Sequence, residues 1–414
     1  MNHFPIQKIR AQFPALQNNG TEEPLIFFDG PGGTQMVQKC VNGMLTYITA
    51  GMANLHGTFP SSIRTDKLLD EGRMAVADFL NCHPSEVAFG QNMTSLAFSI
   101  ARSLAHFITE GDEVVVTEQD HRANVDPWLT LAKDRGAKVK FIKLNPETYT
   151  LEQDHLDELI TEKTKLVAVG LSSNVTGTVT DAEKIIARAK AVNAVTITDA
   201  VHAAPHLSLD FKELGCDILF CSAYKFFGPH LGIAVLSAEL FEKLPVYKLQ
   251  PAPQQIPDKL ETGTQNHEAV AGLLGAISFI EGLGEGASRR ERLQSGMHAI
   301  DTWEQELAQE LEHFLEGLPG LHLYRAPAGV RKTPTFAFTI EGVNSREACR
   351  WFAENYRMCI ADGHFYASTM AEKLGVNPGG GWIRIGLAPY NTREEVELFK
   401  KALQEFMEVL KKKS

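Results

Sequence analysis

Cysteine is sparse in this 414-residue chain, and Cys40, Cys82, Cys216, Cys221, Cys349 and Cys359 form no C-x-x-C. That excludes a disulfide framework and a cysteine-based structural zinc site, and it predicts a reducing, cytoplasmic setting. No stretch of 18 consecutive apolar residues occurs, so no segment reads as a membrane span. The opening MNHFPIQKIRAQFP has neither a long apolar core nor a small-residue cleavage site. An excess of positive charge is also missing. Forty Lys and Arg stand against fifty-one Asp and Glu, a net charge of −11, which disfavours nucleic acid and anionic membranes as partners. The one basic run, Lys411 to Lys413, reads as a solvated helix end. Low-complexity tracts and internal repeats are absent. With 44% apolar and 22% charged residues, what remains is an ordinary globular composition sized for two or three domains.

From about residue 85 to 240, short apolar runs alternate with helical patterns. Strands are predicted over 86–89, 113–117, 138–142, 166–171, 195–199, 217–221 and 233–236. Their near-continuous apolar character suits strands covered on both faces, and the alternation predicts an α/β fold with a mainly parallel sheet flanked by helices. After about residue 265 a long helix is predicted over 288–316, followed by strands at 335–340 and 382–385, each leading into a helix. The reading is a large domain over 20–265 and a smaller C-terminal α/β domain over 266–414, with residues 1–19 packing on the latter. Gly282-x-Gly284-x-Gly286 follows a helical pattern rather than a strand, so it reads as a helix break and not as a dinucleotide loop.

Five loops after predicted strands carry polar groups. Thr94 and Ser95 open an apolar helix, where hydroxyls and unpaired N–H groups suit a phosphate, or where they merely cap the helix. His121 follows the next strand and could lie flat on a ring or be an ordinary loop histidine. Asn174 follows a third. Asp199 ends a fourth, where an acid needs a cation partner or serves as an N-cap. His202 and His206 lie four residues apart after it, but Pro205 argues against a regular helix presenting both to a metal, and no metal site is predicted. Lys225 follows a fifth strand among Tyr224, Phe226 and Phe227. Desolvation there frees an amine able to form a Schiff base; the alternative is a surface lysine lying over its aromatic neighbours. Each signal is weak alone. Together, at the carboxyl edge of one sheet, a hydroxyl pair, His, Asn, Asp and Lys describe a site for pyridoxal 5′-phosphate (PLP).

These segments resemble the class V group of fold-type I PLP-dependent enzymes, the cysteine desulfurase and isopenicillin-N-epimerase relatives. Phe27-Phe28-Asp29-Gly30-Pro31-Gly32-Gly33-Thr34 is similar to the family's opening strand and glycine turn, and Glu118 to Trp128 (EQDHRANVDPW) to its histidine segment. The resemblance implies that His121 stacks on the cofactor ring and that Asn174 and His202 lie near its phenolic oxygen. It implies that Asp199 pairs the ring nitrogen, that Lys225 carries the cofactor and later moves the substrate Cα proton, and that Thr94, Ser222 and Tyr224 serve the phosphate. Thr264, in Glu261-Thr262-Gly263-Thr264-Gln265-Asn266, would reach a neighbouring subunit's phosphate, which implies a homodimer with shared sites. Arg384, in Ile383-Arg384-Ile385, would clamp the carboxylate of a small amino-acid substrate. His56, His364 and Tyr366 are further candidates for the substrate side, whereas Arg64 reads as a salt-bridge partner of Asp66 or Asp70.

The chain departs from the persulfide-forming desulfurases at one telling point. In Ile360-Ala361-Asp362-Gly363-His364-Phe365-Tyr366-Ala367, Tyr366 falls where their loop cysteine would be, Ala361 stands where a second arginine is frequent, and Cys359 reads as a structural strand cysteine. Tyr224 precedes the lysine where histidine is usual. The expectation is a PLP-dependent enzyme with desulfurase-like C–S cleavage, by β-elimination rather than persulfide transfer. Transamination and epimerisation are the alternatives within the family. A non-catalytic PLP-binding module and a nucleotide-binding Rossmann protein are the alternatives outside it.

Overall fold

The computed structural model describes residues 4–17 and 25–413. Seven strands make the main sheet: β1 (Val87–Gly90), β2 (Glu113–Thr117), β3 (Lys138–Ile142), β4 (Thr164–Gly170), β5 (Val195–Asp199), β6 (Ile218–Ser222) and β7 (Gly232–Leu236). Their order is β1-β7-β6-β5-β4-β2-β3, and only β7 runs against the others. The sheet is therefore mainly parallel, as expected. It is buried on both faces because its strands are apolar at successive positions: Val115 points into one core cluster while Val114 and Val116 point into the other.

Four further strands build a second, antiparallel sheet. It comprises β8 (Leu321–Tyr324), β9 (Thr335–Ile340), β10 (Ala361–Gly363) and β11 (Trp382–Gly386), in the order β10-β11-β9-β8. Phe336, Phe338, Ile383 and Ile385 share its core with Leu307 and Leu311 of the long helix Arg289–Glu316 and with Phe399 and Leu403 of the helix Arg393–Lys413. Ser288 caps the long helix in a reciprocal box with Glu291.

The helix His267–Glu281, which the sequence reading placed in the small domain, packs on the helices Gln38–Thr49 and Pro60–Leu80 of the large one. Its face is made of small residues: a side chain added at Gly272 or Gly275 would run into Cys40 or the Lys39 carbonyl. The N-terminal segment touches both lobes. Phe4 stacks on Trp303, while Phe13 packs edge-on against Phe227 and Phe279. Residues 1–3 and 18–24, part of the first predicted boundary, lie outside the described residues. Arg64 does not pair with Asp66 or Asp70 as expected. Its guanidinium donates to the carbonyls of Ala50 and Gly51, where a helix end leaves acceptors open.

The glycine turn is delivered by long-range pairing. Ile26–Phe27 runs parallel to Met358–Cys359, and Asp29 bridges to Gly386. Any side chain at Gly386 would collide with Pro31, so glycine is needed for this approach. The Thr34 hydroxyl donates to the Tyr224 carbonyl and accepts from the Phe227 N–H, which staples the turn to the lysine loop. Among the described residues no helix is long and apolar enough to cross a membrane, and all six cysteines are free.

Candidate active site

Because β1, β2, β4, β5 and β6 point the same way, their carboxyl ends share one edge of the sheet, where ligands of open α/β folds bind. Thr94, His121, Asn174, Asp199, His202, Ser222, Tyr224 and Lys225 all line one cavity there, together with Pro31, Asp120 and Ser172. The five loops singled out in the sequence thus meet in space.

Lys225 closes the short turn Ala223–Lys225 after β6 and is buried. Its Nζ donates to the Pro31 carbonyl and lies 4.9 Å from the centre of the Tyr224 ring. Burial, helped by the nearby Arg384 charge, pulls its pKa down to about 7. The alternative of an exposed lysine lying over aromatic rings is thereby excluded. Burial pushes the Asp199 carboxyl up to about 6. Its Oδ1 accepts from the Val201 N–H at 2.8 Å, but residues 201–206 form turns rather than a helix, so Asp199 is not an N-cap. His121 accepts from the Ala123 N–H at Nδ1, which fixes the ring. Burial and the Lys225 and Arg384 charges lower its pKa to about 4, so the ring is neutral at pH 7. His202 donates to or accepts from the hydroxyls of Thr333 and Thr335 at 3.0 and 3.1 Å. His206 turns instead to the buried Glu304, 2.8 Å away.

Arg384 lies on β11 and is buried, near enough for its charge to act on Lys225 and His121, but it is not among the residues that line the cavity. One terminal nitrogen donates to the Asn174 carbonyl at 2.9 Å and the other to Asp29 Oδ1 at 2.8 Å. Its Nε is buried without a partner. The helix after β1 starts at Met93 and its cap is Asn92, whose side chain accepts from the Ser95 N–H. Capping therefore does not occupy the Thr94 and Ser95 hydroxyls. Thr94 reaches the cavity, and Ser95, one position on, is not among its lining residues.

Three other candidates stay apart from the cavity of this chain. Thr264 is exposed. His56 is exposed and pairs with Asp66 at 3.3 Å. His364 is exposed, its Nδ1 accepting from the Tyr366 N–H. Tyr366 sits over His121, with ring centres 5.2 Å apart.

Sequence reasoning passed over Asp120 and Asp29. Asp120 is buried beside the cavity, accepts from the Asn124 amide at 2.8 Å and is pushed up to about 7, chiefly by burial. Its place directly before His121, after a strand, is the same signal that singled out Asp199. Asp29 offered no local signal, since its partner is 355 residues away.

A mainly parallel sheet that gathers a desolvated amine, a buried acid, a flat neutral imidazole and hydroxyls at one edge defines a fold-type I PLP-dependent transferase fold. The family model described as Aminotransferase class-V matches residues 26–399, and the chain belongs to that family; it is an enzyme of the cysteine desulfurase-like group. It is 30% identical to the "Uncharacterized protein MT3887" of Mycobacterium tuberculosis (strain CDC 1551 / Oshkosh), over 97% of this chain and 98% of that one. It is 29% identical to a cysteine desulfurase of Yersinia pseudotuberculosis serotype O:1b (strain IP 31758), over 98% and 99%. Among solved structures, the cysteine desulfurase CsdA (S-sulfonic acid) of Escherichia coli has a TM-score of 0.85 and 27% identity, covering 99% of this chain and all of that one. The apo cysteine desulfurase of Thermococcus onnurineus NA1 has a TM-score of 0.86 and 26% identity, over 98% of each.

Enzymes of this family depend on PLP, and the cavity's residues fit that group. The Ser172 hydroxyl faces it buried and unpartnered. Asp199 carries a carboxyl that accepts from the Val201 N–H and is raised by burial, which suits it to meet a cation. Lys225 supplies an amine that is half free near neutral pH.

Proposed function

We propose that this chain is a homodimeric, cytoplasmic PLP enzyme that cleaves the C–S bond of a small sulfur-containing amino acid by β-elimination. The cofactor supplies an electron sink for negative charge at the substrate Cα. The chain supplies everything else. Lys225 anchors the cofactor and, once freed, takes the Cα proton on Nζ. Asp199 offers a buried negative charge to the ring nitrogen, and His121 a flat neutral face to the ring. Asn174 and His202 orient the phenolic side, while Thr94, Ser222 and Tyr224 receive the phosphate. Arg384, held in plane by Asp29 and the Asn174 carbonyl, meets the substrate carboxylate.

One observation supports the choice of β-elimination: among the described residues that line the cavity there is no cysteine, and the side chain over His121 is Tyr366. Burial pushes the thiols of Cys40, Cys82, Cys216 and Cys349 up to about 12, so they are poor sulfur acceptors. Sulfur therefore leaves as sulfide or thiol. Incubation with cysteine and its S-substituted analogues is expected to yield pyruvate, ammonia and sulfide or thiol in equal amounts. Alanine with protein-bound sulfane sulfur would overturn the reading, and pyridoxamine phosphate would replace it with transamination. The homodimer is supported by exposed Leu45, Ile48, Met52, Phe59 and Ile63 and by Thr264, which is open to a neighbour.

The lowered Lys225 pKa has a kinetic consequence. An ordinary lysine is protonated until about pH 10.4, but here the free amine appears above about pH 7. The rate at which apoprotein takes up PLP covalently is expected to rise with pH and to reach half its plateau near 7. A profile still climbing at pH 9 would show that the lysine is not desolvated.

A further inference from the structure

The turn after β10 holds two consecutive non-glycine residues in the left-handed region, Phe365 (φ 50°) and Tyr366 (φ 58°). Such backbone persists where its surroundings over-determine it, and here most of the restraints come from the candidate site. The Asn174 amide donates to the Phe365 carbonyl at 2.9 Å. The Arg122 N–H, next to His121, donates to the Tyr366 carbonyl at 2.8 Å. The Phe365 ring lies 3.8 Å from the Arg384 guanidinium, and the Tyr366 ring tilts by 34° over His121.

Resting on the function proposed above, we infer that Phe365 is a positioning residue for Arg384 and that Tyr366 determines specificity, favouring amino acids with flat or thioether side chains. The guanidinium is covered on its face by Phe365 and engaged in plane by Asp29 and the Asn174 carbonyl, so an incoming carboxylate has only the remaining N–H groups to meet. The ring also excludes water from that contact, which strengthens it. A substrate side chain leaving the Cα past His121 runs beside Tyr366, whose ring lies over that histidine. The guanidinium of Arg122, whose backbone N–H meets the Tyr366 carbonyl, is already engaged by Asp126 and Thr369. The wall it meets is aromatic and electrically neutral, which suits π-faces and soft sulfur.

The test is calorimetric binding of 3-phenylpropionate and propionate to the PLP-loaded protein, since neither acid has an amine to react. Wild-type protein is expected to prefer phenylpropionate by about three- to tenfold. Tyr366→Ala should bring that ratio down at least threefold while leaving propionate within twofold. Phe365→Ala should weaken both acids by a similar factor, about fivefold, and Phe365→Tyr should restore them. A Tyr366→Ala protein that keeps the wild-type ratio, or a Phe365→Ala protein with unchanged propionate affinity, would overturn the inference. An Arg384→Ala control that binds both acids as wild type would instead overturn the placement of the carboxylate, a failure of the function proposed above.

Discussion

Lys225→Ala protein is expected to lose covalent attachment of PLP altogether and at least about 10⁴-fold in turnover. In the proposed function two separate roles disappear with one amine: anchoring the cofactor and carrying the Cα proton, the second of which alone is worth roughly 10²–10⁴. Folding should survive, because Lys225 makes a single hydrogen bond, to the Pro31 carbonyl, and the turn around it is held by the Thr34 staple. The measurement is borohydride reduction followed by peptide mapping. Wild-type protein should carry the reduced cofactor on the Lys225 peptide, and the variant should carry none. A variant labelled to the same extent would mean that another amine holds the cofactor.

The second large effect belongs to Asp199. Asn at this position keeps the shape and the bond from the Val201 N–H but removes the charge. A buried carboxyl raised to about 6 by desolvation returns to its ionised form when a cation settles against it, so the acid and a protonated ring nitrogen stabilise each other. Asp199→Asn is expected to lower turnover by about 10²–10³, the scale for removing one pre-placed electrostatic partner, and to weaken PLP retention in equilibrium dialysis. The neighbouring Asp120, pushed up to about 7 with Asp199 contributing, should titrate lower once that charge is gone. If Asp199→Asn retains PLP and turns over as wild type, the acid does not face the ring nitrogen.

Which side chains gather in the cavity was largely readable along the chain, for a local reason. A polar side chain at the end of a strand, or in the few residues after it, lies at the strand's carboxyl end, and parallel strands bring those ends to one edge. Thr94, His121, Asn174, Asp199 and Lys225 each obeyed that rule. The substrate side was not readable in the same way. Arg384 could be singled out only through a resemblance, and its partners stand far from it in sequence, 355 residues for Asp29 and 210 for the Asn174 carbonyl. Nor was it readable that the helix His267–Glu281 packs on the helices Gln38–Thr49 and Pro60–Leu80, because small residues do not announce their partners; Gly272 and Gly275 fit against Cys40 and Lys39, which lie more than 230 residues away.

By itself, then, the sequence determined the alternating α/β order, the strand ends and the chemistry each one carries, because these depend on contacts within a few residues. Tertiary structure alone decided that Asp29 grips Arg384, that Phe365 covers the same guanidinium and that the Tyr366 ring lies over His121. Those choices depend on how two lobes meet, and no local propensity encodes a contact that exists only after both have folded.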